Sequence, residues 1–251
     1  MSVTSVSTHR HVSSQSPKAL RFDMVQPMTR TQMRTKAIQA IHKRGALLVY
    51  PLANRKEPAS IWSELWPKSK MRWEWDTGGD NRVAELWYLR EELSRSRKVI
   101  YAKWFQGRAT LFSFEVFINL LSYLRASRTA LSPQSQNILE LMLSDSPLST
   151  KQIKAAAELE GRLLEPLYNR AMKPLWAHLM IIGFGEFEDS SFPSLGIGAS
   201  QVLFEDLWGE ALGIEARTAE KFLAHKLGET NPFFKFAKKI AAADAADLLL
   251  N

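Results

Sequence analysis

Residues 64–108 hold the side chains of this 251-residue chain best suited to chemistry. Glu64, Glu74, Asp76 and Asp80 lie in a basic, Trp-rich region, where a carboxylate can have its pKa displaced enough for acid–base work. Turn, cap and ion-pair roles account for the same four acids equally, and no catalytic residue is assigned. Trp73 and Trp75 alternate, and with Tyr101 they could stack on nucleic-acid bases. Core packing is the plainer reading of the tryptophans, because large aromatics dominate burial wherever they occur. The five histidines, at 9, 11, 42, 178 and 225, do not fall at recurrent zinc spacing. The absence of cysteine removes disulfides, thiolate metal sites and a cysteine nucleophile. Neither a metal nor another cofactor is expected.

Charge is distributed unevenly. Residues 1–128 hold 22 Lys and Arg against 10 Asp and Glu, net +12, whereas residues 129–251 hold 11 against 16, net −5. A polyanion would therefore meet mainly the first half, through Arg34, Lys43, Arg44, Arg95, Arg97, Lys98, Lys103 and Arg108. Lys151, Lys154, Arg162, Asn169, Arg170 and Lys173 could add contacts from the second half. A solvated basic surface is the alternative for charge asymmetry alone. Against phosphate contact in the second half stands the lack of Lys or Arg between Pro174 and Ala216, where Glu186, Glu188, Asp189, Glu205 and Asp206 crowd a predicted hairpin.

The elements that must position these groups are predominantly helical, and the fold class expected is α+β with tandem winged-helix units and short β-hairpins. Residues 1–26 have no periodicity and read as a disordered tail. Residues 27–128 form a basic winged-helix-like unit with a Trp-rich helical extension, 129–208 a second winged helix, and 209–251 C-terminal helices. Thr29 to Gln32 is a capping box, Gly45 ends the helix it opens, and a short strand follows to Pro51, which reads as the end of a first unit. A long helix over 83–100 carries Val83, Leu86, Trp87, Leu89, Arg90, Leu93, Arg97 and Ile100, and Arg90, Arg95, Arg97 and Lys98 make its end cationic. In the second unit Ser132-Pro133 and the box Ser149 to Gln152 start helices. A third helix, kinked near Pro174, takes the recognition position, and strands over 180–187 and 199–204 flank a loop at 188–198. There is no internal sequence repeat, no Gly-rich phosphate loop, and no segment with the ~18–20 apolar residues that span a bilayer, so a cytoplasmic protein is expected.

Trp73-Glu74-Trp75, the run Arg-Lys-Val-Ile-Tyr-Ala-Lys-Trp-Phe-Gln-Gly-Arg-Ala-Thr-Leu-Phe-Ser at 97–113, and Arg170-Ala171-Met172 to Leu175 resemble the AlkZ-related proteins. These belong to the AlkZ/YcaQ superfamily of winged-helix DNA glycosylases, and the resemblance runs from about Ala37 to Trp208. It implies tandem winged helices that cradle damaged duplex DNA and a Gln-x-Asp or Gln-x-Gln motif on an early strand that excises the base. The matching strand here is residues 47–51, which places Leu48 and Tyr50 at the catalytic positions. Leucine has no polar atom and an un-ionised phenol is a poor base, so neither can activate water as that motif does. The length also implies two winged-helix units rather than the three of full catalytic members. The resulting expectation is a double-stranded-DNA-binding protein without the usual catalytic motif. Two alternatives stand beside it: an active glycosylase with relocated residues, and a protein-interaction scaffold.

Overall fold

Short-range signals place most helix starts in the computed structural model, which describes residues 28–73, 78–126, 131–188 and 193–250, with side chains in the last stretch to Ala243. Thr29 accepts from the Gln32 backbone N–H while the Gln32 side chain accepts from that of Thr29, and this reciprocal pair opens α1 (Arg30–Arg44). Gly45 closes α1 at φ 82°, where a Cβ would fall 2.6 Å from the Val116 side chain, and the chain turns into β1 (Ala46–Leu48). Next come α2 (Ile61–Leu65), α3 (Arg82–Arg95), β2 (Ile100–Lys103), a tight turn at Phe105–Gly107 and β3 (Ala109–Phe112). After α4 (Phe114–Arg125) a second run holds α5 (Pro133–Ser144), β4 (Leu148–Ser149), α6 (Thr150–Ala156), α7 (Glu165–Ala177), β5 (Ile181–Phe187) and β6 (Ser194–Ala199). The chain continues through α8 (Ser200–Leu203), α9 (Glu205–Leu212), α10 (Ala216–Leu227) and α11 (Pro232–Leu250).

The two runs share one order, helix, strand, helix, helix, strand, strand, and one pairing scheme. In the first, β3 lies between β1 and β2; in the second, β6 lies between β4 and β5. β2 and β5 then pair at Tyr101 and Gly183, giving a single antiparallel sheet in the order β1-β3-β2-β5-β6-β4. A Cβ on Gly183 would lie 2.3 Å from the Tyr101 ring, so glycine is what lets the ring lie against the neighbouring strand. The repeat is topological and leaves no trace as sequence self-similarity. One buried core also crosses both runs, with Leu47, Leu86 and Leu89 from the first, Ile138, Leu175 and Ile181 from the second, and Phe117 and Leu120 from α4. α11 closes over the β2–β3 turn: Phe236 meets Trp104 edge-on at 5.0 Å and Phe105 at 5.1 Å.

Several sequence expectations change. The helix at 83–100 stops at Arg95; Arg97 takes φ 49° and Ile100 enters β2, because pairing with β3 supplies the backbone partners that a longer helix would have supplied. Trp87, on α3, is 47% exposed. The second hairpin strand is Ser194–Ala199 rather than 199–204, and residues 200–203 are helical. Gly196 and Gly198, which read as loop, are strand residues over which Phe184 O and the Leu203 side chain sit too close for a Cβ. The helix-Gly-strand unit at 30–48 begins the first run rather than ending it, since β1 pairs with β3. α7 extends through Pro174 to Ala177. The tail at 1–26 lies outside the described residues.

Candidate functional site

Two open cavities of about 740 and 750 Å³ adjoin where the runs meet, and both are lined by Lys103, Gly107 and Thr150. The larger takes Val83, Trp87 and Tyr88 from α3, together with Tyr50, Trp73, Tyr101, Arg90 and Glu186. The other takes Tyr168, Asn169, Met172 and Lys173 from α7, Gln106 from the β2–β3 turn, and Phe236 and Lys239 from α11. Because α3 and α7 hold the same place in their runs, the paired cavities follow from the repeated topology. The β2–β3 turn sits between them. Gly107 lies there at φ 73° with nothing within 4 Å of its Cβ position, so the junction is open.

The first cavity has a charged floor. Arg90 is 4% exposed, donates to Glu186, and lies 4.1 Å from the Trp87 ring centroid and 5.5 Å from that of Tyr101. Burial opposes its charge, but Tyr101 and Glu186 outweigh that and the Arg90 pKa is raised. Burial likewise pushes the Tyr101 phenol up, against the pull of Arg90. Tyr50 donates its hydroxyl to Val83 O at 3.0 Å and its ring meets Trp73 at 5.3 Å. Lys103 ends β2 at the junction. It is an exposed residue, and desolvation with the nearby Arg90 charge lowers its pKa. In the second cavity, burial pushes Tyr168 up to about 12, and Lys154, ion-paired to Glu165, stands 4.7 Å from the Tyr168 ring centroid.

Of the residues expected to contact DNA, Lys103, Asn169 and Lys173 line these cavities, and Trp73 and Tyr101 do so among the stacking candidates. Trp73 is 37% exposed, against the core-packing reading, whereas Tyr101 is 3% exposed and offers little more than an edge. Trp75, like Glu74 and Asp76, lies outside the described residues. Arg44, Arg95, Arg97 and Lys154 are held by the protein itself. Arg44 pairs with Glu64, Arg95 with Glu91 and the Glu186 carbonyl, Lys154 with Glu165, and Arg97 donates to Leu203 O between the Phe184 and Phe204 rings. Arg34, Lys43, Lys98, Arg108, Lys151, Arg162 and Arg170 line neither cavity. Arg44 instead borders a separate depression of about 580 Å³ with Arg55, Lys56, Lys68 and Lys70. Leu48 is buried in β1, while Tyr50 reaches the first cavity.

The remaining carboxylates are engaged: Glu64 with Arg44, and Asp80 with Arg82, whose hydrogen bond lowers the Asp80 pKa. Sequence reasoning missed Trp87, Tyr88, Arg90, Glu186 and Lys239. Tyr88 carried a signal, since it falls opposite the Leu86, Leu89, Leu93 stripe and is a large aromatic that α3 leaves 60% exposed. Among the described residues no group of three or more His, Cys, Asp or Glu could hold a metal ion, and no helix is long and apolar enough to cross a membrane.

A family model described as AlkZ related matches residues 31–232. No curated protein and no solved structure matches the chain.

Proposed function

The chain belongs to the AlkZ-related family, and from that premise we propose that it binds double-stranded DNA through two winged-helix units without the excision motif of the glycosylases it is related to. The observation that carries this reading is the pair of adjoining cavities between the runs. They combine amines, Lys103, Lys173 and Lys239, with exposed aromatic surface from Trp73, Trp87 and Tyr88. Cations at that spacing suit phosphates, which give affinity with little sequence preference, and the aromatic faces suit an unstacked base. The order of elements in each run, with two strands forming a hairpin after the third helix, supports the winged-helix part of this reading. The hairpin is also less acidic than its composition suggests. Glu186 turns in to Arg90, and Glu205 and Asp206 belong to the first turn of α9, where the helix dipole favours them.

Leu48 and Tyr50 support the loss of the usual chemistry, one sealed in the sheet and the other held by Val83 O. Fluorescence anisotropy on a labelled duplex tests the binding. Affinity should fall steeply with salt, with a log–log slope of about −0.9 per phosphate neutralised. A titration curve unchanged between low and high salt would contradict it.

One observation favours a second reading, an active glycosylase with relocated residues: a carboxylate, Glu186, stands in the aromatic cavity that Tyr50 lines. Duplexes carrying several alkylated bases, incubated with the protein and probed for abasic sites, decide this. No product from any of them leaves binding alone.

A further inference from the structure

Lys103 differs from Lys173 and Lys239, the other amines of the site, in two ways. Among the described residues it is the one amine that lines both cavities, and it projects from the last residue of a strand paired along its length; like Lys173 and Lys239, its amine makes no ion pair or hydrogen bond there. Lys154, Arg44, Arg82 and Arg90 each have an acidic partner. A primary amine that is fixed at its base, unpaired at its tip and open to a cavity wide enough for a sugar is arranged as a nucleophile rather than as a structural cation. Desolvation and the nearby Arg90 charge also favour the neutral amine. Gly107 keeps the approach clear on the turn side.

We propose that Lys103 captures an aldehyde, specifically the C1′ aldehyde of the ring-opened deoxyribose at an abasic site in duplex DNA. The Nζ lone pair attacks the carbonyl carbon to give a carbinolamine. Loss of the two Nζ protons and the former carbonyl oxygen as one water leaves the C=N bond of an imine. No oxidant, reductant or metal enters the step, and hydrolysis returns amine and aldehyde. The inference rests on the DNA-binding reading for its substrate, but the amine chemistry can be read separately.

The test is reductive trapping with cyanoborohydride on the full chain, with two aldehydes in parallel: a duplex bearing one abasic site, and free 2-deoxyribose 5-phosphate. Peptide mapping should place the adduct from both at Lys103. A tetrahydrofuran abasic analogue, which has no aldehyde, should give none. Lys103→Arg keeps the charge but not the nucleophilic amine, so its cross-link, normalised to the duplex bound in anisotropy, should be lost. Trapping of the sugar phosphate at Lys103 with no duplex binding upholds the amine and removes the DNA reading. Duplex binding with no adduct at Lys103 from either aldehyde, or an undiminished cross-link in Lys103→Arg, overturns the proposal.

Discussion

At the scale of single residues, Arg90 and Glu186 join the two runs. Their ion pair links residues 96 apart, with Arg90 4% exposed and its Nε making no hydrogen bond among the described residues. Removing one partner of such a pair leaves an uncompensated buried charge, so Glu186→Ala should destabilise the protein by about 3–5 kcal/mol in urea unfolding. Glu186→Gln, which retains an acceptor, should cost less. Equal losses from both would show that the retained acceptor contributes nothing and that the lost charge accounts for the whole effect. Tyr168 supplies a pH signature. Its folded pKa of about 12 lies above the usual phenol value of 10.0, so the unfolded chain releases that proton first as pH rises. The stability tied to the neutral phenol is complete below pH 10 and is lost between about pH 10 and 12. At about 1.4 kcal/mol per pKa unit the loss is about 3 kcal/mol. Tyr168→Phe should remove that part of the alkaline decline in thermal melts, and an unchanged decline would assign it elsewhere. Neither role was legible in the sequence, where Arg90 read as part of a cationic helix end and Glu186 as one of several hairpin acids. Their meaning depends on a partner that only the folded sheet brings near.

Among elements, what could be read from neighbouring residues was read correctly. Thr29 with Gln32, Ser132 with Pro133 and Ser149 with Gln152 start helices as their types dictate, and Gly45 and Gly228 end them. β2 and β6 escaped because strand identity lies in pairing, and their apolar or Gly-rich sequences fit helix or loop equally well. The glycines show the difference most directly. Gly183 lies under Tyr101 at the one β2–β5 register pair, so Gly183→Ala should cost about 1–3 kcal/mol through overpacking. Gly209, inside α9 with nothing within 4 Å of its Cβ position, should gain about 0.5–1 kcal/mol as Ala. Denaturant melts of the two variants should move in opposite directions. A neutral Gly183→Ala would mean that the β2–β5 junction has slack the close approach of Tyr101 does not suggest.

For the whole molecule, the charge imbalance between halves pointed to a polyanion but not to where it would lie. The fold gives many of the basic side chains other tasks. Several hold helices to one another, Arg44 goes with four further cations to the depression beside α2, and the central cavities keep Lys103, Lys173 and Lys239. That partition was invisible beforehand because it follows from edge pairing of two topologically equivalent runs, which no local pattern encodes. It also divides the account cleanly in an experiment. Duplex affinity and its salt slope are measured for the wild type, for Lys103→Gln with Lys173→Gln and Lys239→Gln, and for Arg55→Gln with Lys56→Gln and Lys68→Gln. If DNA lies across the central cavities, the first triple variant loses affinity and its slope flattens by about 2–3, near 0.9 per lost phosphate contact, while the second stays close to the wild type. The opposite ranking, or two triple variants that bind as the wild type does, would contradict the placement of DNA between the runs.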